Sequence, residues 1–319
     1  MNSTRNSSVT FFIQNGRDSL AVAIMKNIVV VTVWIFISLI SGVLVSTHFK
    51  NPVFYENPRY ILFTHMVIND MFQLTLAVIL YVISYVFYTI KVYFCCFLIL
   101  LALFATMVTP LNLAAMAVER YIAICNPLHH PQICTVKRTH LLIGLIWVAA
   151  VSPFIPDFFV TLAIEPVSFF QSSMFCHPVN VFKAPYLLYK RPIIDALFFC
   201  FVTLTLLYTY IKIVLEAKGA TSDKSSATKA HNTILLHGFQ LLMCLLTYVI
   251  YPVETVLLYI FPDRIPDVRY STYLTVYILP RFLSPIIYGV RDTAFRRHLK
   301  KYHLCHAKRP KMKTMSCMR

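Results

Sequence analysis

The side chains of this sequence that could do chemistry are few, and most stand in apolar surroundings. Glu119 and Arg120 are neighbours near the end of an apolar run that begins near Tyr93. Such a pair is costly at membrane depth. It suits a membrane edge, where the carboxylate can hold the guanidinium in a contact that breaks when the protein signals. Asp70 stands deep in another apolar run and needs a partner there. Asp195 and Glu254 fall in two further runs, and two carboxylates brought together in such a place call for a cation between them. That leaves two readings open: an anchor for a cationic or amine-bearing ligand, or internal pairing with Arg191 or a tyrosine hydroxyl. There is no nucleophile–base constellation, and no Cys/His spacing has the form of a zinc site. The chemistry is that of binding and switching; neither catalysis, cofactor nor metal is expected.

The elements that must carry these groups follow from composition. Of 319 residues, 58% are hydrophobic and 14% aromatic, with six glycines, which fits packed membrane helices rather than a disordered or fibrous chain. Seven apolar runs, at 27–47, 60–88, 93–122, 141–164, 193–214, 233–261 and 271–290, are each about 20 residues or longer, the length that a bilayer core of about 30 Å requires. Backbone polar groups in lipid must bond within their own segment, so these runs are helices. Cys95 lies 25 residues before Arg120, or about 37 Å of helix at about 1.5 Å per residue. One helix thus carries a cysteine at one surface and the acid–arginine pair at the other. Pro127 is expected to end it, because the residue before a proline is pushed out of helical geometry.

The net charge of +16 invites a nucleic-acid reading, but the basic residues sit between and after the apolar spans, as inner loops do. With the N-terminus outside, inner segments hold nineteen Lys and Arg and outer segments nine, with Arg281 inside a span. Asn2 and Asn6 begin N-x-Ser/Thr acceptor tripeptides, which agree with an extracellular N-terminus. Residues 1–18 lack an apolar core, so the first span is expected to be its own insertion signal. One domain is expected: an outer 1–25, a helix bundle at 26–290, and a cytoplasmic 291–319. In the last, Asp292 can cap an amphipathic helix at 293–302, with Phe295 and Leu299 on one face and a basic face toward anionic membrane lipid. Cys305 is a palmitoylation candidate or a free thiol. No internal repeat of the transporter kind is visible.

The stretch Met116-Ala-Val-Glu-Arg-Tyr-Ile-Ala-Ile-Cys-Asn-Pro-Leu128 resembles the third-helix signature of vertebrate odorant receptors, a branch of the class A (rhodopsin-like) G-protein-coupled receptors, with Glu119 in the usual Asp place. The resemblance implies an all-α membrane protein, a seven-transmembrane helix bundle with a short amphipathic C-terminal helix. It implies that Glu119, Arg120 and Tyr121 couple to a heterotrimeric G protein of the stimulatory olfactory type. It places a disulfide between Cys95 and Cys176, with Cys96 as the competitor. Pro58-Arg-Tyr60 through Asn69-Asp70 is similar to the family's second helix, where Asp70 and Thr109 belong to a polar, sodium-holding cluster. The asparagine usual in the first helix is replaced by Ser41-Gly42.

The seventh span, Leu279-Pro-Arg-Phe-Leu-Ser-Pro-Ile-Ile-Tyr288, is similar to the family's Pro-x-Leu-Asn-Pro-x-Ile-Tyr, with Ser284 for Asn. Pro285 lets that helix bend, and Tyr288 is expected to swing on activation. With small residues at both asparagine positions, Arg281 is a candidate counter-charge to Asp70; the alternative is a carbonyl or a water. Pro252 is the sixth-helix kink, and Tyr210 takes the inner switch place on the fifth. The resemblance puts the ligand in the outer half, walled by Ala102, Leu103, Thr106, Met107, Asp195, Tyr251, Glu254, Tyr273 and Tyr277. Ala102 stands where aminergic receptors carry an Asp. The expected protein is a plasma-membrane receptor for a small-molecule odorant, multi-pass, with its C-terminus in the cytoplasm. The alternatives are a class A receptor for a peptide or lipid, and a seven-helix channel or transporter.

Overall fold

This computed structural model of the chain describes residues 19–87, 89–219, 239, 242, 250, 253–254 and 256–283. The acceptors Asn2 and Asn6, the switch residues Pro252, Ser284, Pro285 and Tyr288, the wall residue Tyr251 and the helix expected at 293–302 lie outside the described residues.

Local signals place the helix ends. Helix α1 (Leu20–Lys50) starts seven residues before the apolar run does, because the Ser19 hydroxyl accepts the Val22 N–H at 3.4 Å and the polar first turns can project past the bilayer core. Helix α2 (Pro58–Val86) is capped by Asn57, which accepts the Arg59 N–H at 3.1 Å. Pro58 opens it, where a missing N–H costs nothing. Helix α3 (Val92–Cys125) stops as Pro127 requires, with Asn126 at φ −132° and ψ 59°. Helix α4 (Val136–Val151) is capped by Thr135 and begins five residues before the expected 141. At Ser152-Pro153, both in helical backbone geometry, the chain passes into α5 (Phe154–Ile164), so α4 and α5 together make the fourth span. Helix α6 is Leu187–Gly219. Helix α7 (Ile265–Tyr273) passes into a π-turn at Leu274–Ile278 and then returns to α geometry through 283. Five described segments are long and apolar enough to cross a membrane: α1, α2, α3, α4 with α5, and α6. They correspond to the first five expected spans.

Helix α3 is the axis of the bundle. Val108 and Leu113 of α3 join Leu44 of α1, Met66 and Val67 of α2, Ile146 of α4 and Val202 of α6 in one buried cluster. Leu39, Val148, Phe201 and Leu204 project outward, each more than half exposed, as lipid-facing side chains do. Between helices in lipid the hydrophobic driving force is weak, so close packing and interhelical hydrogen bonds hold the bundle.

The Cys95 end of α3 is strapped. Strand β1 (Ile90–Lys91) pairs antiparallel with β2 (Ser173–Met174), and Cys95 is bonded to Cys176 with Cα atoms 5.5 Å apart. Closing a loop of 81 residues restricts the unfolded chain by about 4–5 kcal/mol in the chain-entropy picture. Cys96, the competitor, is a free and buried thiol, turned about 100° further round the helix. The strap has two further fastenings: Lys91 Nζ donates to the Gln171 carbonyl at 2.8 Å, and the Lys183 ammonium lies 4.0 Å from the Phe169 ring centre.

Candidate functional site

At the far end of α3 from the strap, Arg120 Nε lies 3.7 Å from Glu119 Oε2, so the sequence neighbours do meet. Glu119 is buried, while Arg120 is partly open. A third group enters here that sequence reasoning missed. The one-turn helix His130–Ile133 brings His130 Nε2 to 3.1 Å from Glu119 Oε1. The signal was present in the spacing: His130 follows Pro127 closely enough for the turn to fold back on the end of α3.

Tyr121 meets α6, with its ring centre 5.9 Å from that of Tyr208. Tyr210, expected in the inner switch place, stands two residues further on, about 200° round the helix.

Midway along the bundle, Asn69 donates to the Ala105 carbonyl and to Thr109 Oγ1, each at 2.9 Å. Thr109 in turn points at Asp70 Oδ1 from 3.5 Å, so Asp70 and Thr109 come together. Arg281 is also buried, and its hydrogen bond among the described residues goes to the Val276 carbonyl at 2.6 Å. Pairing with Asp70 is therefore corrected to the carbonyl alternative. The reason is local: Pro280 has no N–H to offer Val276 four residues back, and the guanidinium supplies the donor. A second polar chain, also missed, ties α2 to α3 and α4. Trp147 Nε1–H donates to His65 Nε2 at 2.8 Å, which leaves the His65 Nδ1 proton facing Asn112 Oδ1 at 3.1 Å. Asn112 donates onward to the Leu62 carbonyl at 3.0 Å. Three polar residues scattered through three apolar runs gave no pattern in the sequence alone.

The half of the bundle nearer the strap holds the expected ligand wall. Thr106 Oγ1 accepts from Gln73 Nε2 at 2.6 Å and donates to the Ala102 carbonyl at 2.8 Å. Leu103 packs against the core and the disulfide cluster, and Met107 is a core residue at 3% exposure. Tyr273 stacks on Tyr81 of α2 at 4.5 Å and on Tyr277 at 5.7 Å. Gln73 Oε1 and the Tyr273 hydroxyl are buried here with no hydrogen-bond partner among the described residues. Lys26 of α1 binds Asp267 of α7 at 2.7 Å and also lies 5.3 Å from the Tyr270 ring. That bond holds the Asp267 carboxyl below its usual range.

Of the two acids expected near the mouth, Glu254 has a cation: Arg269 Nε lies 3.9 Å from its Oε1. Arg191 stands one turn before Asp195 on α6. His177, next to the disulfide, is buried beside Arg269 and Arg191, and burial first and the two charges second push it down to about 4. Among the described residues no three His, Cys, Asp or Glu side chains gather as a metal site would need.

Residues 39–288 match the family described as 7 transmembrane receptor (rhodopsin family). Odorant receptor 131-2 of Danio rerio is 30% identical over 322 residues, covering 96% of this chain and 92% of that protein. Olfactory receptor 51T1 of Homo sapiens is 31% identical over 199 residues, 58% of this chain and 57% of its own length. Melatonin receptor type 1A of Gallus gallus is 25% identical over 201 residues.

Proposed function

Since the chain belongs to the rhodopsin family of seven-transmembrane receptors, in its odorant-receptor branch, we propose that it binds a small-molecule odorant and activates a heterotrimeric G protein of the stimulatory type. The observation that carries this reading is the double use of α3. One end is tethered through Cys95 to the Cys176 loop, and the other ends in Glu119, Arg120 and Tyr121. A ligand seated below the strap and a protein docking at Arg120 would then act on the same rigid element.

In this reading the strap faces outward and Arg120 faces the cytoplasm, in accord with the distribution of Lys and Arg. The 1–25 segment is extracellular and glycosylated at Asn2 and Asn6, and the 291–319 segment lies along inner-leaflet lipid. The ligand wall is Ala102, Leu103, Thr106, Tyr273 and Tyr277, with Tyr251 completing it. Asp195 and Glu254 sit at the rim, where Glu254 faces Arg269. Binding favours the state in which the Glu119–Arg120 contact opens, a shift between two populations. Pro252, Ser284, Pro285 and Tyr288 move with that shift.

The test is a screen of small molecules on cells expressing the full chain, read by cAMP and by membrane current. The expected result is ligand-evoked cAMP, lost in Arg120→Ala at equal surface expression. A ligand-gated current without cAMP would establish the channel reading instead.

A further inference from the structure

We propose that Arg281 anchors the carboxylate of the ligand, making a small organic acid the class this receptor takes. The proposal rests on the receptor reading above and deepens it by naming the ligand chemistry.

Arg281 is 5% exposed, and its hydrogen bond among the described residues goes to the Val276 carbonyl. No ion pair joins it to any described carboxylate: Glu119 is held by Arg120 and His130, Asp157 by Lys190, Glu254 by Arg269 and Asp267 by Lys26. Capping the carbonyl that Pro280 leaves free needs only one donor, which a neutral amide would supply. A guanidinium brings five donors and a permanent charge, and an isolated charge is among the costliest groups to bury. The charge is thus in excess of the structural task, and a carboxylate is the group a guanidinium binds in two-point fashion.

The direction of the side chain places its head on the ligand side. Val276 precedes Arg281 by five residues, so the guanidinium is turned back toward Tyr277 and Tyr273 rather than down toward Pro285. Tyr273, just before the π-turn at Leu274–Ile278, and Tyr277, within it, have their rings stacked 5.7 Å apart. The Tyr273 hydroxyl is buried without a partner among the described residues and can donate to an anionic oxygen. Gln73 Oε1, the other orphan of this region, is an acceptor and stays outside the proposal. At the rim Arg269 offsets the charge of Glu254, which lessens the repulsion an incoming anion would meet.

The test uses the full-length purified receptor and the straight-chain carboxylates from propionate to decanoate, with the alcohols and amines of equal length. The expected result is that one or more carboxylates raise the unfolding temperature while the matching alcohols and amines do not. Arg281→Gln weakens that binding at least ten-fold, and Arg281→Lys, which keeps the charge but loses the fork, weakens it less. Stabilisation by alcohols or amines alone, by no carboxylate, or by carboxylates equally in Arg281→Gln overturns the proposal. Should Arg281→Gln fail to reach the membrane, the wild-type preference and Arg281→Lys still decide it. The cAMP readout in cells is scored separately. Carboxylate binding without cAMP supports the ligand class and counts against the signalling role, whereas cAMP evoked only by alcohols supports the role and sinks the ligand class.

Discussion

His130 Nε2 lies 3.1 Å from Glu119 Oε1 while Arg120 Nε lies 3.7 Å from Glu119 Oε2, so one buried carboxylate is shared by two basic groups. The closer contact is made by the histidine, from a turn outside the span. The closed arrangement of this end therefore depends on a loop residue as well as on the acid–arginine pair.

Removing that contact should loosen the closed state. A hydrogen bond of this kind contributes about 1 kcal/mol, which corresponds to a roughly five-fold change in a two-state ratio. His130→Ala is expected to raise ligand-independent cAMP by up to that factor, at matched surface expression. An unchanged basal signal would show that His130 is a bystander at Glu119.

The aromatic contact between α3 and α6 separates two neighbouring tyrosines. An edge-on aromatic pair contributes about 0.5–1.5 kcal/mol beyond its buried area. Tyr208→Ala should therefore lower agonist efficacy or thermal stability measurably, and Tyr210→Ala much less. The reverse order would show that Tyr210, in the expected switch place, matters more than the Tyr208 contact.

The chain from Trp147 through His65 to Asn112 is expected to behave as a unit. Trp147→Phe keeps a ring but loses the donor, and should cost about 1 kcal/mol of stability. His65→Ala should add little on top of it, because both changes break the same link. Unfolding temperatures of the two single variants and the double variant measure this. Full additivity would mean that the three side chains act independently.

The strap should weaken in acid through His177. Its folded pKa of about 4 lies below the unfolded value of about 6.5, so the unfolded chain binds the extra proton between those two values. Stability is then complete above about pH 6.5 and falls as the pH drops toward about 4, by a few kcal/mol at most. Thermal unfolding of the solubilised receptor at about pH 7.5 and about pH 5 should show this loss. It should shrink in His177→Gln.

Much of this molecule was legible as text. Apolar runs of spanning length fix helices in lipid, and a thirteen-residue stretch around Arg120 carries its own identity. Cys95 and Cys176 were readable through the family resemblance, and Asp70 with Thr109 through their spacing from it. What resisted reading depends on phase and on distant partners. Tyr208 and Tyr210 offer the same local pattern, and only the azimuth of α6 against α3 chooses between them. His65, Asn112 and Trp147 are separated by 47 and 35 residues, and nothing in any one run points to the others. For Arg281 the sequence left two partners open, Asp70 and a carbonyl or water. The missing N–H of Pro280, a backbone matter, decided its hydrogen bond.

The π-turn at Leu274–Ile278 makes the seventh helix a rod with an inserted link. An extra residue per turn offsets the azimuth of everything below it, so the stretch from Leu279 to Leu283 faces where it does because of that insertion. Such bulges cluster at functional sites, and converting this one to regular α geometry would turn the Leu279–Leu283 stretch relative to the rest of the bundle without altering any side chain. A receptor built this way carries a mechanical clutch in its backbone, and helix-favouring substitutions within 274–278 should jam it even though every recognition group remains in place.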